Sequence, residues 1–298
     1  MKFKSADLLK HYRVDAPDRF ALKSVDCGDT RAIDKDAAQS VLADDVKRLS
    51  DLQQRLYAED RWALLIVLQG MDAAGKDSVV AHVMSGVNPQ GCAVHSFKAP
   101  STEELDHNFL WRTTTRLPAR GRIGIFNRSY YEDVLVVRVH RELLRRAKIP
   151  RTLISENIWQ ERFQDIRAFE RHLARNGTLV LKFFLHLSKE EQRRRFLDRL
   201  EEPAKRWKFS MDDINERKRW DDYMAAYEDV IRATSRPTGR WYVVPADHKW
   251  FARLVVASAV IEALEGLDLA VPKVEGAALK EMHKVRAALL AKKPGKDR

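Results

Sequence analysis

One stretch, residues 62–78 (WALLIVLQGMDAAGKDS), constrains the fold more than any other part of the chain. Its first half is uniformly apolar, which is typical of a strand covered on both faces of a parallel sheet. Its second half fits the phosphate-binding loop G-x-x-x-x-G-K at Gly70, Gly75 and Lys76. Because a buried strand leads into the loop and a helix can follow it, the stretch predicts an α/β domain that binds phosphate. A glycine turn with a surface lysine is the alternative interpretation.

The loop departs from the usual pattern in its acidic residues. Asp77 stands where a Ser or Thr hydroxyl should bind Mg²⁺, Ser78 follows one place late, and Asp72 adds a second carboxylate. Carboxylates at the start of a helix serve as caps, or they coordinate Mg²⁺. We favour metal binding for Asp72 and capping for Asp77.

The remaining sequence predicts alternating strands and helices. We expect strands at 64–68, 92–97, 122–126, 178–187 and 241–244, and helices at 34–58, from 76, at 101–111, after 133 through 143, from about 152 to 176, from 188, and at 211–233 and 250–264. Such alternation predicts a P-loop kinase-like α/β fold, with a doubly wound, mainly parallel sheet of about five strands, helices on both faces and a helical lid.

The chain divides into three segments in this interpretation. Residues 1–33 form an irregular N-terminal arm, and residues 34–270 form the P-loop kinase-like domain, with a basic lid at about 188–210. Residues 271–298 form a C-terminal helix and a basic tail.

Composition restricts the partners and the compartment. The formal net charge is +11, so the field of the protein favours anionic partners. Two cysteines without metal-binding spacing suit a reducing compartment. The uncharged apolar stretch at 62–71 is shorter than a membrane span, and no secretory signal is evident. We therefore expect a cytoplasmic protein without a membrane partner.

The end of the third predicted strand offers a second group of polar residues. An ordinary P-loop NTPase has an Asp there, whereas this chain has Asn127, so Glu132 and Asp133 become the alternative acidic groups. Arg128 is placed to contact phosphate, although an Arg after a strand is often simply solvated or salt-bridged.

A basic cluster lies between the fourth and fifth strands. The helix opened by Ser188 carries Arg193, Arg194, Arg195 and Arg199, and three further cations follow Pro203. An unbalanced positive segment suits a lid over phosphates, and a solvated polar face is the alternative. We predict phosphate contacts for Arg193, Arg194, Arg199, Lys205, Arg206 and Lys208.

Several motifs together resemble the polyphosphate kinase 2 family. They are the loop at 70–77, the segment FNRSYYEDVLVVRVH at 126–140, WDDY at 220–223 and ADHKW at 246–250. The resemblance runs in family order from about residue 30 to 265.

This resemblance implies phosphoryl transfer between inorganic polyphosphate and a nucleotide, with Mg²⁺, or Mn²⁺ as an alternative, on a core similar to thymidylate kinase. Asp72, Lys76 and Arg128 match family positions, and with Glu132 they form the predicted catalytic set. Asp72 is the predicted metal ligand, with Asp77 and Glu132 as further candidates. Glu132 looks like the acidic residue of members that phosphorylate both nucleoside mono- and diphosphates, which favours AMP and ADP as acceptors. Asn127 departs from members with Asp at this place, which puts a direct metal bond there in doubt.

The predicted site falls into two groups of residues. Phosphate or polyphosphate contacts are assigned to Gly70, Ala73, Ala74, Gly75, Lys76, Asp77 and Ser78, with the lid cations. Nucleotide contacts are assigned to Asn127, Arg128, Tyr131, Glu132 and Asp133.

Two other functions compete with this one. An ATP-dependent nucleotide kinase could use the same fold, and a basic P-loop module could bind nucleic acid without transfer. The sequence has no helix-turn-helix, zinc-finger or RNP-type signature, so we expect no specific nucleic-acid partner. The expected partners are polyphosphate and nucleotides, with the chain assembled as a homo-oligomer, a dimer or a tetramer.

Overall fold

A five-stranded parallel sheet forms the centre of the computed structural model, which describes residues 5–291. The strands are β1 Ala63–Gln69, β2 Cys92–Ser96, β3 Ile123–Asn127, β4 Thr178–His186 and β5 Trp241–Pro245, in the order β2-β3-β1-β4-β5. Leu68 of β1 pairs with Asn127 on one side and with Phe183 on the other. The carboxyl ends of the three central strands therefore meet at one edge, as the predicted parallel sheet requires.

Twelve α-helices connect and cover these strands within the described residues. They are α1 Ser5–Tyr12, α2 Lys35–Glu59, α3 Lys76–Val83, α4 Thr102–Leu105, α5 Trp111–Thr114, α6 Val136–Val139, α7 Ile158–Arg175, α8 Lys189–Glu201, α9 Met211–Lys218, α10 Trp220–Thr234, α11 Lys249–Glu265 and α12 Gly276–Ala291. Short 3₁₀ helices occupy Pro17–Arg19, Leu22–Ser24, Pro89–Gly91, Tyr130–Val134, Arg141–Ala147, Arg151–Leu153 and Pro203–Lys208.

Both faces of the sheet are buried in separate apolar cores. Ile66 of β1 belongs to the core with α2, α3 and α11, whereas its neighbour Val67 belongs to the core with α7 and α10. Successive strand residues point to opposite faces, so a strand covered on both sides has to be apolar throughout. The continuous hydrophobicity of residues 63–68 has this cause, and the predicted doubly wound fold is confirmed.

The N-terminal segment is more ordered than predicted. Residues 5–12 form α1 rather than an irregular arm, and Leu8, Leu9 and Tyr12 are buried against the core that contains α11. The Val14 amide donates to the Trp241 carbonyl at 2.9 Å. The spacing of these apolar residues is helical, but Pro17 and Gly28 in the same segment led to the expectation of an irregular arm. The division into three segments stays a prediction.

Two predicted helices differ because long-range contacts alter the backbone. The helix expected at 211–233 is divided at Arg219, whose guanidinium donates to the Val139 carbonyl at 3.0 Å. The segment after Asp133 is a series of short turns. The Arg162 guanidinium donates to the Asp133 carbonyl at 2.6 Å, and in an α-helix that carbonyl would instead accept from a backbone amide four residues later. The helix expected at 101–111 begins with a capping box formed by Ser101 and Glu104, but it ends at Leu105.

Within residues 5–291, none of the helices combines the length and the hydrophobicity that crossing a bilayer requires. The predicted basic tail from residue 292 onward lies outside the described residues.

Candidate active site

A cavity of about 320 Å³ opens at the carboxyl edge of the sheet, between the loop after β1 and the segment that contains α8. This edge is where open α/β sheets bind ligands. Its lining consists of Asp72, Ala73, Ala74, Gly75, Lys76, Asp77, Ser78, Asn127, Arg128, Arg195, Asp198, Arg199, Lys205, Lys208 and Lys249.

The loop at 70–75 takes the tight path that its glycines permit. Gly75 has a φ of 102°, a left-handed conformation that favours glycine. A Cβ at Gly70 would lie 3.0 Å from the Leu185 carbonyl oxygen, so the loop packs directly against β4. The two glycines thus let the loop turn from β1 into α3, where the helix start favours phosphate.

Lys76 points back into the loop that precedes it. Its Nζ donates to the carbonyls of Gly70 at 2.7 Å and Met71 at 3.2 Å. Burial, with the positive charge of Arg128, lowers the pKa of Lys76. The ammonium is therefore fixed in place at the cavity wall.

Arg195 of α8 also contacts the loop at 70–75. Its buried guanidinium donates to the carbonyls of Ala73 at 2.9 Å and Ala74 at 3.2 Å. The same group donates to the carbonyls of Ala246 at 2.6 Å and Asp247 at 3.0 Å, just after β5. One side chain thus connects the phosphate loop, α8 and the β5–α11 connection.

The structure brings only part of the predicted lid to the cavity. Arg199, Lys205 and Lys208 line it. Arg193 and Arg194 are exposed on α8 and pair with Glu190 and Glu191 at 2.6 Å. They lie away from the lining, as does Arg206, whose Nε donates to the Leu200 carbonyl at 2.9 Å.

The difference among the arginines follows from helical geometry. Successive residues of an α-helix are about 100° apart, so a run of three arginines cannot face one cavity. The buried side of α8 carries Gln192, Arg195 and Phe196. Ser188 caps the helix at the Glu191 amide as predicted, but the Glu191 carboxylate pairs with arginines and does not complete a capping box.

Three predicted catalytic residues meet at the end of β3. Arg128 donates to Asp72 at 2.6 Å and to Glu132 at 3.3 Å. Glu132 and Asp72 raise the pKa of Arg128 against the effect of burial. The Arg128 backbone is left-handed, with a φ of 63°, which turns the side chain out of the strand direction toward the loop.

Asn127 and Asp77 form a direct contact across the cavity. The Asn127 amide donates to the Asp77 carboxylate at 2.5 Å. Gly75 is the N-cap of α3 and no side chain makes a capping hydrogen bond there, so Asp77 lies in the first turn without the predicted capping bond. Ser78 accepts a hydrogen bond from Arg253 of α11 at 2.7 Å.

Two residues assigned to nucleotide contacts point elsewhere. The Tyr131 hydroxyl is fully buried and donates to Glu170 at 2.8 Å, beside Lys182. Asp133 contacts Arg162 at 3.4 Å, and burial raises the pKa of Asp133 to about 6. Neither side chain lines the cavity, because Tyr131 is bonded to Glu170 and Asp133 to Arg162, both of which are buried residues of α7.

The carboxylates of this site suit a metal ion that is held jointly with substrate. Among residues 5–291 no group of three or more Asp, Glu, His or Cys side chains is arranged to enclose a metal. Mg²⁺ is commonly bound by one or two carboxylates together with substrate phosphates and water. Asp72 at the cavity wall, with Glu132 beside the same arginine, fits that mode.

Sequence reasoning missed Arg195, Asp198 and Lys249 as cavity residues. Arg195 and Asp198 belong to the helix that was predicted, but their orientation depends on where the loop packs. Lys249 belongs to the ADHKW motif that was noted, and burial with Arg195 and Lys205 lowers its pKa. Its place between a strand and a helix at the sheet edge was the available signal.

Comparison with known proteins gives concordant results. Residues 32–271 match the family model described as polyphosphate kinase 2 (PPK2). The ADP-polyphosphate phosphotransferase of Rhodopseudomonas palustris is 53% identical over 86% of this chain and 89% of its own length. The AMP/ADP-polyphosphate phosphotransferase of Meiothermus ruber is 47% identical over 91% of this chain and 98% of its own.

A solved structure agrees with these sequence matches. The crystal structure of polyphosphate kinase 2 from Arthrobacter aurescens superposes with a TM-score of 0.86 at 38% identity. The superposition covers 96% of this chain and 97% of that one.

Proposed function

This chain belongs to the polyphosphate kinase 2 family, and from that membership we propose that it transfers phosphoryl groups between inorganic polyphosphate and nucleotides. AMP and ADP are the proposed acceptors, and ADP and ATP are the products. Relatives named for both AMP and ADP phosphotransfer support this assignment.

The observation that carries the proposal is the charge of the cavity. Seven cationic side chains and three carboxylates line it. A single nucleotide triphosphate needs fewer cations than this, whereas a polyphosphate chain has about one negative charge per phosphate and extends past the reacting end. Arg199, Lys205 and Lys208 bring the cations of a second segment to the same cavity as the phosphate loop, which suits a long polyanion.

The residues act by positioning and by charge neutralisation. Phosphoryl transfer passes through a loose transition state that needs little covalent help. Lys76 and the amides of the 70–75 loop would hold the transferred phosphoryl group, and Arg128 would hold the acceptor phosphate. A nucleotide phosphate is already an anionic nucleophile, so Asp72 is assigned to metal binding ahead of proton abstraction.

Mg²⁺ belongs to this proposal as the cofactor, with Mn²⁺ as an alternative. Asp72 would hold it, and Glu132 and Asp77 are the further candidate ligands. When bound, the ion supplies neutralising charge to the phosphate oxygens. Arg128 pairs with Asp72 and Glu132 and holds both carboxylates close to the phosphate loop.

Glu132 supports the choice of both nucleoside mono- and diphosphates as acceptors, because it stands beside the arginine that would receive the acceptor phosphate. The free thiols Cys27 and Cys92 support a cytoplasmic location. We also propose that the protein forms a homo-oligomer, either a dimer or a tetramer.

An assay without ATP tests the function. Purified protein with Mg²⁺, polyphosphate and ADP should form ATP, and with AMP it should form ADP. Lys76→Ala should abolish both reactions, and the exposed Lys280→Ala serves as a matched control that should leave them unchanged. If neither ADP nor AMP gives product, the proposal is refuted.

The same assay separates the competing functions. An ATP-dependent nucleotide kinase would transfer from ATP to AMP and would not use polyphosphate. A nucleic-acid-binding module would transfer from neither donor and would bind duplex DNA with steep salt dependence.

A further inference from the structure

The C-terminal helix α12 exposes an apolar surface that no other part of residues 5–291 buries. No residue of Gly276–Ala291 is buried. Met282, Val285 and Leu289 are 56%, 50% and 68% exposed. The helix follows the segment that matches the family model, which ends at residue 271, so it lies outside the matched segment.

The apolar residues of α12 have coiled-coil spacing. Ala278, Met282, Val285 and Leu289 are separated by four, three and four residues, which places them at alternating d and a positions of a heptad pattern. These four residues are named the α12 seam. Such a seam is buried when a second helix packs along it, with side chains of each helix inserted between those of the other.

Charged residues beside the seam indicate which helix fits. Glu281 occupies a g position and Arg286 occupies the e position of the next heptad, and both border the seam. In a parallel helix pair, a g residue faces the e residue five places later on the other helix. Two copies of α12 in parallel would therefore form two Glu281–Arg286 ion pairs, one on each side.

The antiparallel arrangement lacks this complementarity. There g faces g and e faces e, so Glu281 would meet Ala288 of the second copy and Arg286 would meet Leu279. Each charge would lie beside an apolar residue without an opposite charge. The charge pattern thus favours a second copy of α12 as the partner helix and a parallel orientation of the two helices.

We propose that α12 is a self-association surface, and that it pairs in parallel with α12 of a second copy of this chain around a two-fold axis. A two-fold pair uses the same surface on both copies, so the seam and its flanking charges supply both sides of the contact. This contact does not depend on the catalytic activity.

Analytical ultracentrifugation of the full chain over a concentration series tests the pairing. Val285→Glu places a charge in the seam and should weaken the contact at least about tenfold, halving the mass of the assembly at moderate concentration. Ala287→Glu adds the same charge on the opposite side of α12 and should change the mass little. Equal melting temperatures would show that both variants keep the fold.

A charge exchange tests the direction. Glu281→Arg and Arg286→Glu should each weaken association, because each brings like charges together, and the double variant should restore it. Wild-type protein that stays monomeric, or that matches Val285→Glu at every concentration, would overturn the proposal. Failure of the double variant to recover would overturn the parallel arrangement.

Discussion

Replacement of Arg195 by lysine tests whether this residue holds the phosphate loop in place. Its guanidinium donates to two loop carbonyls and to two carbonyls after β5. A lysine keeps the positive charge, but its single ammonium cannot contact both segments as the planar guanidinium does. The variant therefore separates the geometry of Arg195 from its charge.

The size of the effect follows from burial. The hydrogen bonds to Ala74 and Ala246 are buried, and lysine can satisfy only one of those carbonyls. A buried acceptor without its donor costs about 1–3 kcal/mol. The charge-assisted bonds lost at the partly buried Ala73 or Asp247 add roughly 1 kcal/mol. We expect Arg195→Lys to lower the free energy of unfolding by about 2–4 kcal/mol.

Urea denaturation of Arg195→Lys beside Arg194→Lys measures this effect. Arg194 is the adjacent residue, with its side chain 58% exposed and paired with Glu191, so its replacement should cost less than about 0.5 kcal/mol. A displaced loop should also lower kcat/KM by about 10–100-fold in Arg195→Lys. Equal unfolding free energies of the two variants would refute the role of Arg195.

Three further variants address the core and the cavity. Lys182→Met leaves Glu170 buried without its cation, 2.6 Å away in the native protein, so the free energy of unfolding should fall by about 3–5 kcal/mol; a urea titration showing under about 1 kcal/mol would contradict this. Burial lowers the pKa of His186 from 6.5 to about 4, so its contribution to stability is present above pH 6.5 and is lost as the pH falls toward 4. Between pH 7 and 5 the native protein should therefore lose about 2 kcal/mol more than His186→Gln, and parallel pH profiles would oppose this. Lys208→Ala should raise the KM for polyphosphate about 2–10-fold, more at low salt, while Arg206→Ala, outside the cavity, should change it little.

The sheet was predictable because local sequence determines it. The five strands are apolar runs bounded by turns, and the predicted and observed limits differ by at most one residue at either end. The phosphate loop was predictable for a similar reason, because Gly70, Gly75 and Lys76 occupy fixed spacings that only local geometry constrains.

The lid was predicted only in outline because its residues are sorted by distant contacts. Arg193, Arg194 and Arg195 have identical side chains, and only the packing of α8 against the phosphate loop gives Arg195 a role there. Tyr131 likewise reads as a site residue beside Arg128, but Glu170 and Lys182, remote in sequence, draw its hydroxyl into the core. Sequence patterns give no distance between such segments.

The carbonyls around Lys76 have a consequence for turnover. Their bonds to the ammonium mean that this cation leaves bulk water once, when the chain folds, rather than each time a phosphate arrives. In the proposed phosphate contact, binding would exchange one oxygen partner of Lys76 for another, and departure of the product would return the ammonium to the Gly70 or Met71 carbonyl. The loop would then return to its starting state after each cycle without rehydration of its cation.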